Sequence, residues 1–121
     1  MQIQLDNDNS QFRITGFGQD HVSVNNELIG CPLLLSPNRL ILDGLPSSFD
    51  LITTVHIDLL AEFDAEVIII GSGDKGRFLS PEIENYCFQE KINIDCMTTP
   101  SACRTFSLLA ADSRPVVALL L

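Results

Sequence analysis

The chain has 121 residues, a length that suits one domain built around one core. Hydrophobic residues make up 45% of the chain and charged residues 19%, a balance that is typical of globular proteins. Sixteen acidic residues outnumber seven basic residues, and the resulting net charge of −9 disfavours partners that are themselves anionic, such as nucleic acids and anionic lipid surfaces.

The first half of the chain predicts antiparallel β structure. Apolar residues alternate with polar ones in "QFRITGFG", which ends at a Gly-Gln-Asp turn. In "HVSVNNELIG" two extended runs flank Asn25 and Asn26, residues that tolerate the positive φ angles of a tight hairpin. "CPLLLSPN" and "RLILDG" predict a second hairpin. We interpret residues 1–10 as a solvated tail.

The second half predicts the order β-α-β-α-β with a parallel first crossover. The helices are expected in "TTVHIDLLAEF", over 81–90 after the cap Ser80, and over 100–110 after Thr98 and Thr99. In the first of these, Val55, Leu59, Leu60 and Ala61 are expected to form the buried face. The strands are expected in "EVIII", "INIDCM" and "RPVVALLL". Helices packed on a mixed sheet, beside a β-rich layer, are therefore the predicted architecture.

The stretch "EVIIIGSGDKGRF" matches the dinucleotide-binding pattern G-x-G-x-x-G from Gly71 to Gly76, and Asp95 ends the next strand, where a ribose-binding acid belongs. In a true site the third glycine opens a helix whose N–H groups face the pyrophosphate. Here the first capping signal, Ser80-Pro81, follows Gly76 by four residues, so the helix begins too late. We therefore predict a glycine turn rather than a NAD or FAD site, and no cofactor.

A weaker functional interpretation of this turn is anion binding. Gly71, Ser72 and Gly73 can present backbone N–H groups as an anion nest, with Lys75 and Arg77 close behind. The alternative, which the residues favour, is a tight turn with solvated charges.

Cys103 is the second candidate for chemistry. It lies in the first turn of a predicted helix, beside Arg104, and both features favour the thiolate. A catalytic cysteine normally needs a base, and neither histidine is near it in sequence. A buried structural role is therefore the preferred prediction.

The four cysteines, Cys31, Cys87, Cys96 and Cys103, form no C-x-x-C pair. With only two histidines to complete a ligand set, we predict reduced thiols and no metal site. The sequence has no visible secretory signal and no apolar run of about 18 residues or more, so a cytoplasmic location without an integral membrane segment is expected.

The segments "RITGFG", "VIIIGSGDKGRFLSP", "INIDCMTTPSACRTFSLL" and "RPVVALLL", in this order, resemble the Mth-type domain family of unknown function. Its relatives include an assembly factor of mitochondrial respiratory complex I and an adipogenesis-associated protein. The resemblance implies a three-layer α/β fold with a mixed central sheet, and no established enzymatic activity. Thr98 and Ser107 stand where many relatives carry Asp and Asn.

Two hypotheses follow for a single Mth-type domain over 1–121. The first is a non-catalytic interaction domain whose partners are respiratory complex subunits or assembly factors. The second is a small-molecule or anion-binding domain, because loops that follow neighbouring parallel strands emerge at the same sheet edge. Its site would gather Gly71, Ser72, Gly73, Arg77, Thr99, Cys103 and Arg104.

Overall fold

A computed structural model describes residues 4–6 and 11–121. Three α-helices and one short 3-10 helix (Phe49–Leu51) accompany nine strands in this part of the chain. The helices are α1 (Thr54–Ala61), α2 (Pro81–Gln89) and α3 (Thr99–Ala111). The strands are β1 (Gln4–Asp6), β2 (Ile14–Gly18), β3 (His21–Val24), β4 (Glu27–Gly30), β5 (Leu33–Ser36), β6 (Arg39–Ile41), β7 (Val67–Gly71), β8 (Ile94–Met97) and β9 (Val116–Leu120).

The strands form two sheets. The large sheet has six strands in the order β1-β6-β5-β9-β7-β8, and the small sheet is an antiparallel meander of β2, β3 and β4. In the large sheet β7 is parallel to both β8 and β9, whereas β9 is antiparallel to β5. The sheet is therefore mixed, and β9 joins its antiparallel half to its parallel half.

The large sheet is the middle of three layers, as the burial of β9 on both faces shows. All five of its residues are buried. Val116, Ala118 and Leu120 belong to the core on one face of the sheet, whereas Val117 and Leu119 belong to the core on the other. Because side chains alternate along a strand, a continuous apolar run can be buried only between two covering layers.

Different elements cover the two faces. On one face lie α3, which buries Phe106, and the small sheet, which buries Val22 and Val24. On the other face lie α1, α2 and the 3-10 helix. This arrangement confirms the predicted three-layer α/β fold with a mixed central sheet, and the β-hairpins that precede it.

Local signals placed most elements correctly. Asn25 and Asn26 have φ angles of 50° and 69° and connect β3 to β4 as predicted. The Ser80 hydroxyl accepts a hydrogen bond from the backbone N–H of Ile83, and the Thr98 hydroxyl accepts one from that of Ser101. These caps begin α2 and α3 where the sequence predicted.

The predicted buried face of α1 was wrong at Val55. The Val55 side chain is 71% exposed, and Ile57 and Leu60 are the residues that α1 buries completely. Apolar residues occur around most of this helix, so they define no single stripe. The position of α1 on the sheet, which the sequence does not encode locally, selects the face that is buried.

The predicted solvated tail, 1–10, includes a strand that the sequence analysis did not anticipate. Gln4–Asp6 form β1 and pair antiparallel with β6. The remaining residues of that segment, 1–3 and 7–10, lie outside the described residues.

Candidate functional site

The turn after β7 and the beginning of α3 meet at one edge of the large sheet. Gly71 pairs with Met97 in the parallel β7–β8 ladder, and the backbone N–H of Ser72 donates to the Met97 carbonyl at 2.8 Å. The backbone N–H of Thr99 donates to the Gly73 carbonyl at 2.9 Å. The two loops are therefore neighbours, as parallel strand order requires.

Thr99 is the centre of this contact. Its side chain is buried, and its hydroxyl oxygen accepts the Gly73 N–H at 2.8 Å. The same hydroxyl donates to the Leu121 carbonyl, also at 2.8 Å. One buried hydroxyl thus ties the glycine turn, α3 and the residue after β9 together, and both partners of the hydroxyl are satisfied within the chain.

Gly71 is required by close packing. A Cβ atom at this position would lie 3.0 Å from the Cα atom of Thr99 and 3.1 Å from the Cβ atom of Ala102. Gly73 is required by conformation, because its φ angle is +89°, a region that favours glycine. Both glycines therefore have structural reasons that are independent of a ligand.

The N–H groups expected to form an anion nest are already bonded inside the protein. The N–H groups of Ser72 and Gly73 donate to Met97 and Thr99, as described above. At the start of α3, Ala102 N–H donates to the Thr98 carbonyl at 2.8 Å, and Pro100 has no N–H. An anion at this edge would have to compete with these bonds.

A cavity of about 490 Å³ adjoins this edge of the sheet. Gly73, Asp74, Thr99 and Leu121 line one side of it, together with Pro100. The end of β2, the β2–β3 turn and the residue after β4 supply the rest, namely Phe17, Gly18, Gln19, Asp20 and Cys31. Its charged lining residues, Asp20 and Asp74, are both acidic and are exposed. Cations and neutral polar molecules suit such a lining better than anions do.

The contribution of the β2–β3 turn to this cavity was not predicted. Gly-Gln-Asp is recognisable as a turn, but no local signal places Asp20 and Gly73 at one cavity, because they follow strands of different sheets. Only the packing of the small sheet over α3 brings them together.

Arg77 lies on the opposite side of the large sheet from Thr99. Its guanidinium donates to the Asp50 carboxylate at 2.5 Å and lies 5.3 Å from the centre of the Phe49 ring. Phe49 belongs to the core beneath α1 and α2, whereas Ala102 and Cys103 of α3 belong to the core on the other face. The Arg77 side chain is therefore directed to the opposite face of the sheet from Cys103.

Cys103 is 1% exposed and packs in the core beneath α3. Burial, followed by the nearby Cys31, raises the pKa of the Cys103 thiol to about 11, although the adjacent Arg104 lowers it. A protonated, enclosed thiol is a poor nucleophile. Arg104 itself points outward, with its guanidinium 5.6 Å from the centre of the Phe17 ring.

The helix after the glycine turn begins at Pro81, five residues after Gly76, which confirms the late start predicted from the sequence. Its N-terminal N–H groups are therefore not part of the glycine turn. Asp95 is exposed in β8, the strand that follows this helix. The geometry of a dinucleotide fingerprint is not formed here.

Within the described residues, no group of three or more His, Cys, Asp or Glu side chains is arranged to hold a metal ion. No helix in this part of the chain has the length and apolar character needed to cross a membrane.

Comparisons with known proteins agree on the family. The profile of a family described as "Protein of unknown function (DUF498/DUF598)" matches residues 14–121. A Drosophila melanogaster protein, NADH dehydrogenase [ubiquinone] 1 alpha subcomplex assembly factor 3, is 33% identical over 114 residues, which are 89% of this chain and 57% of that protein. The chain thus spans little more than half of this relative.

Two bacterial proteins are also similar. A Francisella tularensis protein named "13 kDa major membrane protein" is 31% identical over 90 residues, which cover 70% of each chain. The solution structure of a Bordetella pertussis protein, described as a Mth938-like domain, superposes with a TM-score of 0.75 at 21% identity, covering 100% of this chain and 92% of that one. The fold that this chain shares with the Bordetella domain is the one expected from the Mth-type resemblance.

Proposed function

We propose that this chain, which belongs to the family of unknown function DUF498/DUF598, is a non-catalytic interaction domain that assists assembly of an NADH dehydrogenase-type respiratory complex. Several proteins similar to it are named NADH dehydrogenase [ubiquinone] 1 alpha subcomplex assembly factor 3. The observation that carries the proposal is the 33% identity to the Drosophila assembly factor over 89% of this chain. The partners would be subunits of that complex or other assembly factors.

The candidate site supports a role without catalysis. The buried Thr99 hydroxyl is already bonded to the Gly73 N–H and to the Leu121 carbonyl, so it serves a structural role. Burial raises the pKa of the Cys31 thiol, which lines the cavity, and the Cys103 thiol is enclosed and protonated at neutral pH. These features suit a rigid scaffold.

We propose that the chain performs this role in the cytoplasm. All four cysteines are free, which suits a reducing compartment. Fractionation of the native cell tests this location, and recovery of the chain outside the cytoplasmic fraction would contradict it.

Affinity purification of the tagged chain from its native cell tests the assembly role. Subunits of the NADH dehydrogenase complex, or proteins bound to its assembly intermediates, should be enriched over a bait that carries the tag alone. Cells that lack the chain should contain less of the assembled complex on native gels. Repeated isolation of the chain alone, with a normal amount of complex in the deleted cells, would contradict the proposal.

The cavity beside Gly73 and Thr99 favours a second candidate function, the binding of a small molecule. Its volume of about 490 Å³ lies within the range of ligand pockets, about 300–1,000 Å³. Because the charged lining residues are acidic, a thermal-shift screen of sugars and small organic cations tests it. A ligand that raises the melting temperature should lose this effect when Asp74, which lines the cavity, is replaced by Arg. A well-folded sample that responds to no compound would leave only the interaction role.

A further inference from the structure

Strand β8 ends the large sheet, and its outer edge has no strand partner within the described residues. Beside it runs an open groove of about 540 Å³ between β8 and α2, which we call the β8 groove. Phe78 and Phe88 border it and are 91% and 83% exposed. An unprotected edge with large apolar side chains at its border is the arrangement that accepts an added strand.

The length of strand β8 suits pairing with an extended peptide. β8 comprises four residues, Ile94–Met97, and at about 3.3 Å per residue the edge can pair with a segment of similar length. Ile94 and Cys96 face the core beneath α2, whereas Met97 packs on the core beneath α3. Asp95, which alternates with Ile94 and Cys96, therefore lies on the α3 side of the sheet.

The charge of the residues that line the β8 groove indicates the chemistry of the partner. Among the described residues that line the β8 groove, the acidic ones are Glu84 and Asp95, both exposed, and none is basic. A second copy of this chain, with its net charge of −9, would bring like charges to this edge. A basic segment would be attracted to the edge instead.

We propose that the β8 groove binds an extended segment of another protein, which adds as a strand to β8 and alternates apolar with basic residues. Its apolar side chains would pack on the α2 side against Phe88, Ile94 and Cys96. Its basic side chains would lie on the α3 side near Asp95. This inference rests on the proposed interaction role and specifies the surface and the chemistry of the partner.

The test uses the whole chain and a synthetic peptide of about eight residues in which valine alternates with lysine. NMR titration of the isotope-labelled protein should give the largest amide shifts at Ile94–Met97, and the affinity should weaken with added salt. Phe88→Ser and Asp95→Lys should each reduce the affinity by about tenfold. Leu108→Ser, which changes a 74% exposed leucine on α3, is the matched control and should leave the affinity unchanged.

Three results would overturn the inference. The first is absence of binding, or equal binding of a peptide in which glutamate replaces lysine. The second is a dimer in sedimentation experiments that Phe88→Ser dissociates, because a second copy would then occupy the groove. The third is recovery of the same cellular partners by the wild-type, Phe88→Ser and Asp95→Lys chains, in which case the interaction role stands and the β8 groove is not its surface.

Discussion

A methyl group added at Gly71 would lie 3.0 Å from the Cα atom of Thr99, which belongs to the backbone and cannot move independently. We therefore expect Gly71→Ala to lower the free energy of unfolding by about 1–3 kcal/mol. Gly76→Ala is the control, because no atom lies within 4 Å of its added Cβ, and it should change stability by less than about 0.5 kcal/mol. Urea denaturation of both variants measures the difference, and equal stabilities would contradict the packing argument.

Removing the Thr99 hydroxyl should lower the free energy of unfolding, even when the replacement keeps the shape of the side chain. Thr99→Val leaves the Gly73 N–H and the Leu121 carbonyl without their partner, and an unpaired buried group costs about 1–3 kcal/mol. Thr99→Ser keeps the hydroxyl and should retain most of the stability. Denaturant melts of the two variants provide the test. A valine variant as stable as the serine variant would mean that water replaces the hydroxyl.

The Cys103 thiol should make the stability of the folded protein depend on pH. Its pKa is about 11 in the folded protein and has an ordinary value of 9.0, so the unfolded chain loses this proton first as the pH rises. Its contribution to stability is therefore complete below pH 9.0 and declines as the pH approaches 11. Denaturation across this range should give a shallower decline for Cys103→Ala than for the wild type. Identical declines would refute this assignment.

The same enclosure predicts slow alkylation. In the native protein at neutral pH, iodoacetamide should modify the half-buried Cys31 before Cys103, which is 1% exposed. Mass spectrometry of the modified peptides follows the order. Unfolded protein is the control and should react at both positions.

Among the secondary-structure elements, the β3–β4 hairpin depends on its two asparagines. The Asn25 side-chain oxygen accepts the Arg13 N–H at 2.8 Å, and its φ angle of 50° is unfavourable for residues other than Gly, Asn and Asp. Asn25→Ala should therefore cost about 1–2 kcal/mol. Asn26→Gly keeps the backbone N–H that donates to Thr15 and should be neutral or stabilising. Thermal melts of both variants test the role of these residues in the turn. An Asn25→Ala variant with an unchanged melting temperature would contradict that role.

These elements also indicate where prediction from sequence succeeds. The β3–β4 turn depends on the positive φ angles of Asn25 and Asn26, and the cap of α2 depends on a bond between Ser80 and Ile83, three residues later. Both features are local in sequence, and both were predicted. The partner of Arg77 was not predicted, because Asp50 is 27 residues away and the ion pair forms only after the layers pack. The exposure of Val55 and the contribution of Asp20 to the cavity have the same cause. Alternation and capping predict elements, whereas the contacts between layers decide which side chains meet.

The molecule as a whole places one sheet between two apolar cores, and β9 contributes residues to both. We predict that the chain is a single cooperative domain with one unfolding transition. The single tyrosine, Tyr86, is in α2 and reports on one outer layer, whereas far-UV circular dichroism reports on the whole chain. The two signals should coincide during urea unfolding. Earlier loss of the dichroism signal would mean that the small sheet unfolds separately.

The position of β9 in the sheet has a consequence for synthesis on the ribosome. This strand comes last among the described elements, yet it lies between β5 and β7 in the finished sheet. Until translation delivers β9, the neighbours of its place, β5 and β7, cannot be joined through it. We therefore expect nascent chains that lack β9 to aggregate more readily than the finished sheet, because their apolar strand edges would stay unpaired.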